Sequence, residues 1–226
     1  MQRHAWVGLL ALVAGALLGG CGGSGEQDFE PTVRYMPLSI GNEWHYDAVE
    51  LASTSQTASQ RRSLPPRRPG RVTTAQGHWE EVITITRTIQ SAGTWYVATL
   101  EWVGDASVEE RYLRHDSKGL LWRDSLSSAG YYRLRTPLRV GTTWLDRFDD
   151  QRSFEIVSTS ASVSTLAGLF RRCLVVEDIL DVPGEPLDVI TTWFAEDVGL
   201  VKETQHVGAN LVYTSELIGY AVDSGA

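Results

Sequence analysis

The sequence predicts a mainly β protein: an antiparallel curved sheet, half-barrel or sandwich of about 10–12 strands, behind an N-terminal signal helix. Three observations carry that reading. Apolar and polar residues alternate at period two through most of the chain, the spacing that sends successive side chains to opposite faces of a strand. Turn formers punctuate the alternation at hairpin spacing. After Cys21, apolar residues nowhere recur at i, i+3, i+4, i+7.

The N-terminus comes first. Arg3 and His4 precede an apolar run from Ala5 to Leu18, which leads into Leu18-Gly19-Gly20-Cys21. A basic start, a short hydrophobic stretch and a small-residue end are the parts of a secretory signal. The stretch is shorter than the ~20 residues a spanning helix needs. Its ending is similar to the bacterial lipobox, which implies cleavage before Cys21 and diacylation of the Cys21 sulfur. The alternative is an ordinary signal with an incidental cysteine. Residues 1–20 are therefore read as signal peptide and 21–33 as a lipidated cysteine with a flexible tether, which opens on Gly22-Gly23-Ser24-Gly25. By resemblance to Gram-negative sorting rules, Gly22 after the cysteine implies outer-membrane delivery, lipid-anchored, on the periplasmic face or cell surface.

Residues 34–220 read as one all-β domain and 221–226 as a short tail. Residues 51–77 interrupt it with five arginines, three prolines and no acid. Such a stretch cannot bury a core and is expected to be a disordered insertion between strands. The other reading is a basic arm for an anionic envelope polymer.

Beyond it the strands follow in order. Val82 to Ile89 is expected to place Ile83, Ile85 and Ile89 on one face and its threonines on the other. Trp95–Val103, Phe154–Thr159, Cys173–Leu180, Val189–Phe194 and Leu211–Ile218 repeat the habit, rich in β-branched and aromatic residues. Turns fall at Ser91-Ala92-Gly93, Gly104-Asp105, Asp116 to Gly119, Ala167-Gly168, Pro183-Gly184 and Gly208-Ala209-Asn210. Between Thr94 and Trp102 each face carries a tryptophan, so the sheet needs cover on both sides or must curve around an apolar interior. Sandwich, barrel and half-barrel all satisfy that condition.

Two segments echo each other: Pro37-Leu38-Ser39-Ile40-Gly41-Asn42-Glu43-Trp44 and Pro137-Leu138-Arg139-Val140-Gly141-Thr142-Thr143-Trp144. Proline suits a strand entry, and the aliphatic residues are expected to face inward. Glycine supplies a positive φ, and tryptophan opens the next strand as a core plug. A carbohydrate-stacking tryptophan pair is the alternative.

Composition narrows function. The chain has 226 residues, 42% hydrophobic and 21% charged, with 20 Lys and Arg against 28 Asp and Glu. Without residues 1–20 it keeps 206 residues and 19 basic against the same 28 acidic side chains, a net charge of −9. That balance argues against nucleic acid, which calls for a basic field. Two cysteines make neither a disulfide framework nor a four-cysteine zinc site. Cys173, in Arg172-Cys173-Leu174-Val175, reads as a small buried hydrophobe.

The motif Pro37-Leu38-Ser39-Ile40-Gly41-Asn42-Glu43-Trp44-His45-Tyr46 resembles the opening of a family of uncharacterised bacterial lipoproteins. The second Pro-Leu-x-x-Gly-x-x-Trp, the Ala167 to Phe170 hairpin before Cys173, and Trp193-Phe194-Ala195-Glu196-Asp197-Val198-Gly199-Leu200-Val201-Lys202 also match its habit. The likeness spans most of residues 35–220; the 51–77 insertion departs from the short connection usual there. It implies a secreted, lipid-anchored β domain. A remoter architectural similarity is to periplasmic lipoprotein carriers, whose curved sheets cradle acyl chains.

Sites of chemistry are sparse. GxSxG, HExxH, CxxC and GxxxxGK[ST] are all absent. His45, His78, His115 and His206 stand apart, without metal-ligand spacing, and read as surface or strand-edge residues. Asp178, Asp181, Glu185 and Asp188 surround a Pro-Gly turn, either as a solvated hairpin tip or as calcium ligands, though without the close Asp/Asn spacing of a calcium loop. No metal site, cofactor or catalytic residue is assigned. The expectation is a non-catalytic envelope lipoprotein with a structural or protein-binding role. The alternatives are an enzyme, or a carrier or sensor of an apolar or lipid ligand in a cavity lined by Trp95, Trp102, Trp193 and Phe194. The expected partners are the membrane, through the lipid on Cys21, and an envelope protein or lipid.

Overall fold

The computed structural model of the chain describes residues 30–51, 77–146 and 149–223. The signal peptide, Cys21, most of the tether and the bulk of the basic insertion lie outside the described residues. One helix, α1 (Glu30–Tyr35), precedes twelve strands. These are β1 (Glu43–Glu50), β2 (His78–Gln90), β3 (Thr94–Trp102), β4 (Val108–Asp116), β5 (Gly119–Arg123) and β6 (Tyr131–Arg135). They continue with β7 (Thr143–Leu145), β8 (Arg152–Thr165), β9 (Gly168–Leu180), β10 (Asp188–Ala195), β11 (Gly199–Val207) and β12 (Asn210–Ala221).

All twelve form one antiparallel sheet, in the order β6-β5-β4-β3-β2-β1-β12-β11-β10-β9-β8-β7. Every neighbour is a sequence neighbour except the β1–β12 pair, which joins the two halves of the meander. The sheet curls into a nearly closed barrel, open between β6 and β7. That resolves the three architectures in favour of the barrel. A side-chain-to-backbone bond bridges the seam: Trp144 on β7 donates its indole N–H to the Tyr132 carbonyl on β6 at 2.9 Å. Trp144 also stacks on Phe154 at 5.3 Å between ring centroids.

Antiparallel order gives the barrel two ends. At one lie α1, the β2–β3, β4–β5, β6–β7, β8–β9 and β10–β11 turns and the end of β12; this is the helix end. At the far end lie the β3–β4, β5–β6, β7–β8, β9–β10 and β11–β12 loops, and the ends of β1 and β2 that flank the insertion.

The helix end is filled. Trp44 is wholly buried and donates to the Val198 carbonyl, and it shares one hydrophobic cluster with Met36, Leu113, Leu120, Leu134, Leu174, Phe194 and Leu217. Both echo tryptophans, Trp44 and Trp144, are buried, as the plug reading expects. Gly41 and Gly141 take φ of +95° and +83°, conformations that L side chains rarely adopt. Leu38 is buried and Leu138 half-buried, but Ile40 and Val140 point to solvent, each 61% exposed, against the expectation that they face inward. They occupy turns rather than strands, so strand alternation does not govern them.

Helix α1 is the element that periodicity missed. Six residues are too few to show a 3.6-residue pattern, and the tether read as 21–33 therefore overlaps it. Buried Thr32 bonds the His115 ring at 3.0 Å, and the other His115 nitrogen bonds the Met36 carbonyl at 2.8 Å. Buried Asn42 clamps this end by donating to the Pro37 and Asp223 carbonyls and accepting from the Asp223 amide.

Bulges also overturn one strand expectation. The β2–β3 register shifts between Ile85 and Arg87, making Thr86 an extra residue. Ile83 and Ile85 face the interior, but Ile89 pairs with Trp95 on the outer face. The β8–β9 hairpin shifts register three times and folds over the helix end. There the Ala167 amide donates to the Leu217 carbonyl at 3.0 Å and Phe170 tilts against Tyr220.

Candidate functional site

Toward the far end the inner face turns polar. Cross-strand pairing sets Ala48, Ser215, Glu203, Thr192 and Val176 in one inward-facing row across β1, β12, β11, β10 and β9. In the neighbouring rows Tyr46 pairs with Glu81 and Glu81 with Trp102, while Phe154 and Ile190 flank Asp178.

Arg133 enters this interior through a bulge. On β6, Leu134 pairs with Leu120 and Tyr132 with Leu121, so Arg133 is unpaired between them. A bulge re-aims its residue. Here the guanidinium reaches across to Glu203 at 2.6 Å and to the Thr192 hydroxyl at 3.5 Å, while Thr192 donates to the same carboxylate oxygen at 3.2 Å. Arg152, at the start of β8, forks onto Asp178. Its Nε donates to Oδ1 at 2.8 Å and its Nη2 to Oδ2, and the guanidinium lies over the Tyr131 and Phe154 rings at 5.0 and 5.4 Å. Gln205 donates to both oxygens of Asp188 at 2.8 and 2.9 Å, and the Trp102 indole donates to Glu81 at 3.1 Å.

Burial governs the electrostatics. Burial by itself disfavours the charged Arg133 guanidinium, but Glu203, joined by Tyr131 and Asp178, outweighs it and raises the pKa. Arg152 behaves alike with Asp178. Burial pushes the Asp178 carboxyl up while the two Arg152 donors oppose it, and burial raises the Tyr131 phenol. Arginine at both positions matters, because its planar fork matches a carboxylate and keeps its charge when enclosed. Glu203 and Asp178 are each engaged as the counterion of an arginine.

The four aromatic residues expected to line a cavity do not converge. Trp102 and Phe194 face the interior. Trp95 lies on the outer face, buried under the Arg114 and Arg123 guanidiniums, each 4.5 Å from its ring, with its indole N–H donated to the Ser91 carbonyl. Trp193 alternates with Thr192 and Phe194 and is half-buried on the other face. Odd and even positions of one strand cannot share a face.

The acidic cluster around Pro183-Gly184 also separates. Asp178 and Asp188 are buried among the inner-face partners described above, whereas Asp181 stays at the exposed tip. The solvated-tip reading therefore fails for two of the four. His45 sits between Glu43 and Glu80, which hold its pKa above the ordinary value, the Glu43 hydrogen bond foremost. His78 contacts Asp47. His115, expected at the surface, is instead enclosed beneath α1, and burial lowers its pKa. It lines a cleft of about 520 Å³ with Val33, Leu38, Tyr96, Arg114 and Asp116. Cys173 is fully buried, as expected, and burial raises its thiol.

Sequence reasoning missed Arg133, Glu203 and Arg152. Glu203 had a usable signal, an acid at an inward position of an alternating strand; Arg133 had none, because a bulge placed it.

No protein-family model matches the chain, and no curated protein matches it in sequence. Two crystal structures are similar in shape. One is a protein described as exported, with a YmcC-like fold, from Bacteroides fragilis: TM-score 0.50, 15% identity, covering 82% of this chain and 97% of that one. The other is described as a lipoprotein from Parabacteroides distasonis: TM-score 0.42, 10% identity, covering 83% and 98%. The first speaks for the fold alone, a barrel-like antiparallel sheet shared almost along its whole length.

Proposed function

We propose that this chain is a lipid-anchored lipoprotein of the bacterial outer membrane, non-catalytic, with a structural or protein-binding role. One observation carries the reading: Leu18-Gly19-Gly20-Cys21 stands directly after a basic start and an apolar run too short to span. The exported protein of like fold supports it by analogy. The interior supports the non-catalytic part. Its helix half is packed with aromatic and aliphatic side chains, and Glu203 and Asp178 in its polar half are engaged by arginines.

The test is Cys21→Ser. Two or three acyl chains at that residue would hold the protein stably, since one chain alone anchors only marginally. The substituted chain is expected to leave the lipid-modified membrane pool, as an uncleaved precursor or a soluble form with unchanged β-type circular dichroism. Continued palmitate incorporation after the substitution would refute the reading.

A further inference from the structure

We infer that the helix end of the barrel is a membrane-contacting face, laid against the bilayer that holds the lipid on Cys21; the inference rests on the lipid-anchor reading. Chain connectivity brings that end near. Residues 22–29 separate Cys21 from α1, and nine Cα steps reach at most roughly 30 Å.

The surface of that end suits the position. Its turns present Ile40, Val140 and Leu166 to solvent, the last 74% exposed at the tip of the folded-over hairpin, with Leu169 and Val33 also exposed. Exposed aliphatics alone would not decide, because the far end has them too, among them Val103, Val108, Leu145 and Leu187. Charge separates the two. Within two residues of the five helix-end positions the charged side chains are Arg34, Arg139 and Arg171; of these, Arg34 is paired with Glu196 and Asp197 of the β10–β11 turn at 2.7 and 3.6 Å, which leaves Arg139 and Arg171 as the charges beside the exposed aliphatics of the β6–β7 and β8–β9 turns. Within two residues of those four far-end positions stand Glu101, Asp105, Glu109, Glu110, Asp146 and Glu185, besides the buried Asp188, against Arg147 alone. Aliphatic tips set among arginines suit an anionic bilayer surface, which attracts Lys and Arg and takes up small apolar side chains; the same tips set among carboxylates are repelled by it. The protein is acidic overall but polarised along the barrel, so its net charge does not describe the end that meets the lipid. The polar far end then faces away, where a partner would reach it.

The test uses the full, lipidated chain in vesicles of equal parts phosphatidylethanolamine and phosphatidylglycerol that carry a doxyl-labelled lipid as quencher. Val140→Cys and Leu166→Cys report on the helix end and Val103→Cys and Leu187→Cys on the far end, each labelled with the environment-sensitive fluorophore NBD; buried Cys173 is shielded from the reagent. Expected are a blue shift and quenching at residues 140 and 166, and emission at 103 and 187 unchanged from that in detergent. Vesicle-bound protein with no quenching at any position, or with stronger quenching at 103 and 187, would overturn the orientation while leaving the anchor standing. Failure of the full chain to float with the vesicles would refute the anchor itself, and the orientation with it.

Discussion

Removing one partner of the Arg133–Glu203 pair tests whether the polar interior holds the barrel together. Both side chains are only 14% exposed, so solvent screens the pair little. Glu203→Ala leaves the guanidinium enclosed without its counterion and strips the Thr192 hydroxyl of its acceptor. Breaking a buried pair in this way costs about 3–5 kcal/mol. A domain of this size loses about 2–4 °C in Tm for each kcal/mol, so a fall of roughly 6–20 °C is expected. The matched double variant, Arg133→Met with Glu203→Leu, removes both charges and fills the space. It is expected to recover most of the loss, because the desolvation cost disappears with the charges. Chemical denaturation of the parent, Arg133→Met, Glu203→Leu and the double variant, followed by circular dichroism, closes a double-mutant cycle. Single variants within about 1 kcal/mol of the parent, with additive effects in the double, would refute the reasoning: the pair would then behave as an exposed one.

Three further outcomes follow from the helix end and the seam. Trp144→Ala removes both the bond to Tyr132 and the stack on Phe154, and is expected to cost about 3–5 kcal/mol by denaturant titration; Trp144→Phe, keeping the stack, should cost less. His115 has an ordinary pKa of 6.5 that burial lowers, so the folded state resists protonation. Its contribution is complete above 6.5 and is lost as pH falls through the lowered folded value; stability should decline on acidification below 6.5, and His115→Gln should flatten that segment of the pH–stability curve. At Gly119, with φ of +145°, an added Cβ would lie 1.9 Å from the Leu134 carbonyl oxygen. Gly119→Ala should therefore lower stability by more than the ~1–3 kcal/mol of backbone strain alone, whereas Gly141→Ala, whose Cβ meets nothing within 4 Å, carries strain only; the two midpoints compare directly.

Much of the barrel was legible in residue order. Period-two alternation locates β2, β3, β9, β10 and β12, and glycine-containing turns locate the hairpins, because both signals are local: a strand's faces and a turn's φ are set within a few residues. The same locality makes Trp44 and Trp144 recognisable as plugs and Cys173 as a core residue. What it could not decide was every feature that depends on a distant partner. One extra residue at Thr86 sends Ile89 to the face opposite Ile85, and one at Arg133 aims a charge into the interior; a bulge is a property of two strands paired, not of either alone. Asp178 reads as a solvated acid until Arg152, 26 residues away in sequence, is folded onto it. The Trp95–Trp102 stretch, apolar on both faces, is compatible with sandwich and barrel alike. The residues of β3 therefore determined that both faces be covered. Only the β1–β12 pairing, which joins the first strand to the last, decided that a single sheet curling on itself would cover them.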